Sequence, residues 1–257
     1  MKTKNAFIII ILLMTGLSFT GCYKAWHIIE GNYDVQTETR SISGFSHVFN
    51  EGSFDVYIIQ DASGEVIIEA ESNLIPLVRT RIEGSALVVD TKDNLHNNYP
   101  IKVYVHTMEL DEARLSGSGL LRIEDFNTGD IDIDLSGSGD VFFSGNATDV
   151  KCNISGSGDM ELGLTCVELE AKISGSGEME IYGEASKGDL NISGSGSIRA
   201  YDMLFQECKA RISGSGDMYV NVADYLDVTI SGSGSVYYLG NPIVEADISG
   251  SGNVIHP

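Results

Sequence analysis

Four acids follow directly on copies of the tetrapeptide Ser-Gly-Ser-Gly: Asp140, Asp159, Glu178 and Asp217. The serines leading into the first three are Ser136, Ser138, Ser155, Ser157, Ser174 and Ser176. Carboxylates placed at one position of a repeating backbone stand close together, and like charges at that spacing repel unless water or a cation separates them. The row therefore reads as a solvated acidic face or, more sharply, as a weak Ca²⁺ row; no other cofactor is expected. Paired carboxylates also perform the acid–base steps of glycan cleavage, but that chemistry needs two of them set on either side of a bond. Here repetition spreads the acids along a line. Asp130, Asp132 and Asp134 alternate and so share one outward strand face. His27, His47, His96, His106 and His256 are scattered, with no Ser/His/Asp order. The residues point to binding rows of Ser and Asp/Glu, with no catalytic set.

What must position these rows is the repeat itself. Ser-Gly-Ser-Gly starts at Ser116, Ser136, Ser155, Ser174, Ser193, Ser213, Ser231 and Ser249, a period of 18 to 20 residues. Self-similarity at that period marks a solenoid, in which each coil buries its apolar face only by stacking on its neighbours. The residue before each motif is Leu or Ile, from Leu115 to Ile248. Two residues after each motif come Leu121, Val141, Met160, Met179, Ile198, Met218, Val236 and Val254. Alternation with period two puts these side chains inward and predicts two short strands per coil, one on either side of the motif. The same parity turns both glycines inward, where opposite walls approach at a bend, and both serines outward into rows whose hydroxyls can pass hydrogen bonds from coil to coil. The fold class expected is all-β, a parallel β-solenoid with coils of about 19 residues.

The earlier half repeats less regularly. Phe49 to Ile58 parallels Ile212 to Val220, and Arg81 to Val89 is a weaker copy. Residues 42–110 are thus expected to be wider, irregular coils of the same domain, capping the regular coils of residues 111–257. Pro76 marks a turn or one helical turn within Leu74–Val78. The last coil carries only His256 and Pro257 to blunt its edge, so self-association through that exposed coil is expected.

Lys2 and Lys4, the apolar run Phe7–Met14 and the small residues before Cys22 compose a secretory signal over residues 1–21, with residues 22–41 as tether and leading strand. The residues before Cys22 resemble the lipobox of bacterial lipoproteins, which implies a lipid on Cys22 and an outer-membrane lipoprotein of the cell envelope; plain cleavage near Gly21 would leave a free thiol. Removing residues 1–21 leaves 14 basic against 37 acidic residues, a formal charge of −23. Nucleic acid is excluded as a partner, because a polyanion is repelled by it. Cys152, Cys166 and Cys208 are an odd set, so they do not form a disulfide framework.

With Gly44-Phe45-Ser46-His47-Val48, Phe54-Asp55-Val56-Tyr57-Ile58, Leu87-Val88-Val89-Asp90, Ile101-Lys102-Val103-Tyr104-Val105 and the Ser-Gly-Ser-Gly series, residues 42–257 resemble the "putative auto-transporter adhesin, head GIN domain" family, frequent in Bacteroidetes lipoproteins. The resemblance implies a parallel β-solenoid and an adhesive role, and brings no catalytic residues. The function expected is a non-enzymatic envelope module presenting an acidic Ser/Asp face to glycan or protein. The alternatives are a β-helix enzyme acting on polyuronates and a structural, self-assembling stalk.

Overall fold

The computed structural model describes residues 28–257. The signal segment and Cys22 lie outside the described residues. The rest is a parallel β-solenoid whose coils stack in register through two walls.

One wall holds the strands that lead into each motif: Glu112–Gly117, Asp130–Gly137, Asp149–Gly156, and on to Ile243–Gly250. The other holds the strands that follow it: Leu120–Asn127, Asp140–Asn146, and on to Asn253–Ile255. In the four coils that begin at Asp159, Glu178, Ser197 and Asp217 the two walls belong to one bent strand, as in Asp159–Gly175. A second corner is marked where two adjacent residues face outward, as at Val167-Glu168 and Ser186-Lys187, which reverses the alternation. The register is position for position: Leu135 pairs with Ile154, Ser136 with Ser155, Gly137 with Gly156. Inward residues are fully covered, among them Leu135, Met160, Ile173, Met179 and Ile212, with Phe126, Phe143 and Phe205 filling the widest parts. Each such side chain contributes about 1.5–3 kcal/mol on burial, and adjacent coils share that gain.

The glycines are required for a reason other than the expected approach of opposite walls. A Cβ on Gly156 would fall within 3.0 Å of the carbonyl oxygen of Gly137, one coil below, and one on Gly158 would meet Gly139 in the same way. The crowding runs along the stack. The first glycine of each motif also has a φ between +131° and +148°, which side-chain-bearing residues resist. Its carbonyl accepts the amide of the second serine in the next coil, as in Ser157 N–H to Gly137 O at 2.9 Å and Ser176 N–H to Gly156 O at 2.9 Å. The serines do face outward. However, no hydroxyl-to-hydroxyl hydrogen bond joins the motif serines among the described residues, and the backbone links the coils instead.

The N-terminal coils depart from the expected order. His47–Asn50 and Asp55–Gln60 lie directly under the first regular coil, pairing with Glu112–Gly117 and Leu120–Asn127. Ala86–Asp90 and Lys102–Thr107 form the next coil outward, so the chain passes beyond its first coil and returns over it. Gly84-Ser85, read as a degenerate corner, is the two-residue turn of an antiparallel hairpin in which Glu83 pairs with Ala86. Register also places Asn50, rather than Phe49, at the inward position before the first corner. Buried Asn50 donates from Nδ2 to Phe54 O at 2.8 Å and accepts the Gly52 amide at 3.1 Å, replacing packing by hydrogen bonds. Val35–Ser41 runs antiparallel to Glu65–Glu71, and Ile28–Glu30 pairs with Asn94–His96. The part of the tether that is described is therefore folded into strands. Ile75–Leu77 is a single 3₁₀ turn with Pro76 in its first positions.

One buried carboxylate ties this end together. Glu71 is fully covered, and accepts Tyr33 N–H at 2.6 Å, Asn98 N–H at 2.8 Å and Asn98 Nδ2 at 2.9 Å. Burial alone would raise its pKa; the donors from Asn98, Tyr33 and Tyr99 outweigh that and hold it below the usual glutamate value of 4.5. A depressed folded-state pKa gives stability that is complete above 4.5 and is lost as pH falls through the folded value. Glu71→Gln should therefore lower the melting temperature at pH 7 by more than at pH 3, read by calorimetry at both values; an equal loss at both would contradict the role given to the charge. Gly156→Ala should cost roughly 2–5 kcal/mol from combined strain and overpacking. Ser157→Ala, one residue on, should change stability by no more than about 0.5 kcal/mol in chemical denaturation.

Candidate functional site

The wall that follows the motifs carries the acids of the expected rows. Asp140 pairs with Asp159, and Asp159 with Glu178, so these three stand on consecutive coils at a spacing of about 4.8 Å. Ser197 occupies the next coil, which separates Asp217 from the group by one step. The motif serines Ser136, Ser138, Ser155, Ser157, Ser174 and Ser176 line the adjoining corner, all exposed.

The acids have partners within the stack. Asp159 accepts the backbone amide of Glu178 at 3.3 Å, and Asp217 that of Ser235 at 2.8 Å. Glu178 pairs with Arg199 at 3.0 Å. The carboxylates thus serve as inter-coil clasps as well as surface charge, a role that spacing alone did not reveal. Among the described residues, no group of three or more His, Cys, Asp or Glu is placed to hold a metal ion. The Ca²⁺ row has no preformed cage, as acids lined along one sheet face are spread by the strand separation rather than converged on a point.

A second row, three residues past each motif, shares the same outward face: Arg122, Phe142, Glu161, Glu180, Arg199, Tyr219, Tyr237 and Ile255. Its parity is that of the first row, so the alternation could have found it. Together the two rows border a groove of about 380 Å³ lined by Asp140, Phe142, Asp159, Glu161, Glu178 and Glu180. Five carboxylates face it, and no lysine or arginine lines it. Arg122 lies over the Phe142 ring, 4.1 Å from its centroid, at one end of the groove. Farther along the wall Tyr219 stacks on Tyr237 with centroids 4.9 Å apart, and Tyr201 meets Tyr219 edge-on at 5.4 Å. The wall therefore reads along the rod as an acidic groove followed by a tyrosine stack. Asp130, Asp132 and Asp134 lie on the other wall, where Asp132 faces Lys151 at 3.9 Å and Asp134 accepts Asn153 at 3.0 Å.

The three cysteines are unpaired and buried. Burial and, secondarily, Asp149 push the Cys166 thiol up to about 12, and burial raises Cys152 and Cys208 further. They pack as small hydrophobes and are not nucleophiles.

This geometry has counterparts. The crystal structure of a putative lipid binding protein from Parabacteroides distasonis superposes with a TM-score of 0.84 at 27% identity, covering 89% of this chain and all of that one. A putative adhesin from Parabacteroides merdae gives 0.83 at 25% identity, over 89% and 99% of the two chains. A putative adhesin from P. distasonis gives 0.84 at 23% identity, over 88% and 98%, and shares the fold. No curated protein matches the sequence. The profile of one family, described as "Putative auto-transporter adhesin, head GIN domain", covers residues 44–242. With the Ser-Gly-Ser-Gly corners, the paired walls and the irregular first coils all inside or bordering that span, the chain belongs to this adhesin head-domain family.

Proposed function

We propose that the protein is a non-enzymatic cell-envelope lipoprotein, anchored through a lipid on Cys22, whose solenoid presents its acidic wall to a protein or glycan. The observation that carries this reading is the groove over Asp140, Asp159, Glu161, Glu178 and Glu180: five carboxylates repeated on a wall held rigid by register. A row of equivalent groups favours a repetitive or extended ligand through avidity, and a negative field attracts a cationic one. The interior is filled by side chains such as Phe126, Phe143 and Phe205, so binding is assigned to the outer surface. The acids sit in one line rather than across a cleft, which favours binding over polyuronate cleavage.

The outer edge of Ile243–Gly250 supports a second reading, self-association of the rod. That strand pairs on one side only among the described residues, and it leaves Ile243 71% and Ile248 42% exposed.

A glycan array and a panel of purified extracellular-matrix proteins, run with the purified full chain and with the Asp140→Asn/Asp159→Asn/Glu178→Gln variant, test the proposal. The amides keep an acceptor for the inter-coil bonds, so the variant should melt within a few degrees of the wild type. Binding to the retained ligand should fall at least tenfold. Unchanged binding would reject the acidic wall, and turnover of a polyuronate that the same substitutions abolish would establish the enzyme instead.

A further inference from the structure

Among the described residues, Tyr33 is one of two other than glycine with a positive φ, at +63°. Left-handed backbone is the usual place of Gly, Asn or Asp, and a bulky side chain adopts it only under strain. Glu71 holds the turn, accepting the Tyr33 amide at 2.6 Å, and Asn32 Oδ1 accepts the amide of Asp34 at 3.2 Å. The ring presented in this way is 70% exposed. It meets Tyr99 edge-on with centroids 6.4 Å apart, and Tyr99 is itself 48% exposed. Ile28 and Val35, which begin the strands on either side of the turn, are 50% and 42% exposed. A strained turn that holds apolar rings in water is unfavourable on both counts in the free protein, and such features persist where they serve a partner.

The patch lies at the motif corner of the outermost coil. There residues 91–101 join Ala86–Asp90 to Lys102–Thr107 in place of Ser-Gly-Ser-Gly, and Asn94–His96 pairs with Ile28–Glu30. Asn98 Nδ2 donates to Gly31 O and to Glu71, which ties Tyr99 to the turn that carries Tyr33. The chain also enters the described fold at this corner. The peptide steps from Cys22 to Ile28 span at most about 22 Å. That is less than the diameter of a small domain, about 30 Å, so an anchor on Cys22 leaves a bilayer rather than a folded protein opposite the corner. Tyr and Trp favour the membrane–water interface, each having an apolar ring and a polar tip. The sequence between Cys22 and Ile28 adds Tyr23 and Trp26, the single tryptophan of the chain. Glu30, Asp34 and Asp93 outnumber Lys24 and Lys92 here, so a zwitterionic surface suits the corner better than an anionic one.

We propose that this corner is a membrane-seating surface. Tyr33, Tyr99 and Ile28 enter the headgroup region of a zwitterionic bilayer and set which end of the rod faces it. The seating rests on the lipid anchor proposed above for Cys22, and the two are tested separately.

The mass of the N-terminal peptide isolated from cells reports the natural lipid. Seating is read on residues 22–257 with one alkyl chain of about 14 carbons coupled through maleimide to the Cys22 thiol, because a single chain binds membranes only marginally and a second contribution then shows. Cys152, Cys166 and Cys208 are buried and do not compete for the reagent. Partition into protein-free phosphatidylcholine vesicles should fall at least tenfold in Tyr33→Asn/Tyr99→Ser. It should not change in Met108→Ser, which removes an exposed apolar side chain past the other end of Lys102–Thr107. Asn accepts left-handed backbone, so Tyr33→Asn should keep the melting temperature within a few degrees of the wild type. Tyr99→Ser alone, with at least a threefold loss expected, carries the test should the double variant melt lower. Dependence on the tyrosines without a natural lipid would uphold the seating and reject the anchor. Equal partition of wild type and tyrosine variants, or an equal loss in Met108→Ser, would overturn the seating even where the natural lipid is found.

Discussion

The carbonyl oxygen of one motif glycine occupies the space that a side chain on the next coil's glycine would need. This close approach, repeated from Gly117 to Gly250, brings each coil down on the last with corner over corner. The same carbonyl accepts the amide of the following serine, so contact and hydrogen bond are one feature. A corner that bore a Cβ would lift its coil and lengthen every ladder bond on both sides of it. The inward Leu, Ile and Met columns would then lose their van der Waals contact, which falls steeply with small gaps. Register at the corner therefore governs packing in the interior.

It also governs the surface. Because Asp140, Asp159 and Glu178 occupy one position of an identical backbone, their carboxylates form a line fixed at the strand separation. Outward positions are the only ones free to vary along such a rod. The coils use that freedom in blocks: an acidic groove over residues 140–180, then the Tyr201, Tyr219 and Tyr237 stack. A surface depression where the turns 42–46, 61–64 and 106–109 meet, lined among others by Asp61, His106 and Glu109, belongs to a different regime. It arises where the stack ends and the chain must make antiparallel hairpins and long turns, and so gathers unlike residues from distant positions.

That difference explains what could be read in the chain. Inward columns, outward serines and the period of 18 to 20 residues follow from local alternation, and the two walls are placed accordingly. The stacking order of the first coils does not, because Ala86–Asp90 reaches past His47–Asn50 and the two sequences alternate alike. Asn50 hid the true register there: a buried amide stands where every later coil has Leu or Ile, and it satisfies itself on Phe54 and Gly52. Gly84-Ser85 has the composition of a corner and the geometry of a hairpin turn, and only pairing partners tell them apart. The acidic row was legible, whereas its use as inter-coil clasps was not, since the Asp159 bond to the Glu178 amide depends on side-chain rotation. Asp61, Glu109 and His106 carry no common motif and meet only through the fold.

Deleting one whole coil tests the dependence on register most directly. Removing residues 155–173 joins Ile154 to Ser174 and restores an intact motif. The account predicts a protein that still unfolds in a single cooperative transition, with a rod shorter by about 4.8 Å in small-angle scattering. Removing only residues 155–164 should abolish folding, because it sets corner against wall. A nineteen-residue deletion as disruptive as the ten-residue one would contradict the claim that corner-over-corner stacking holds this fold together.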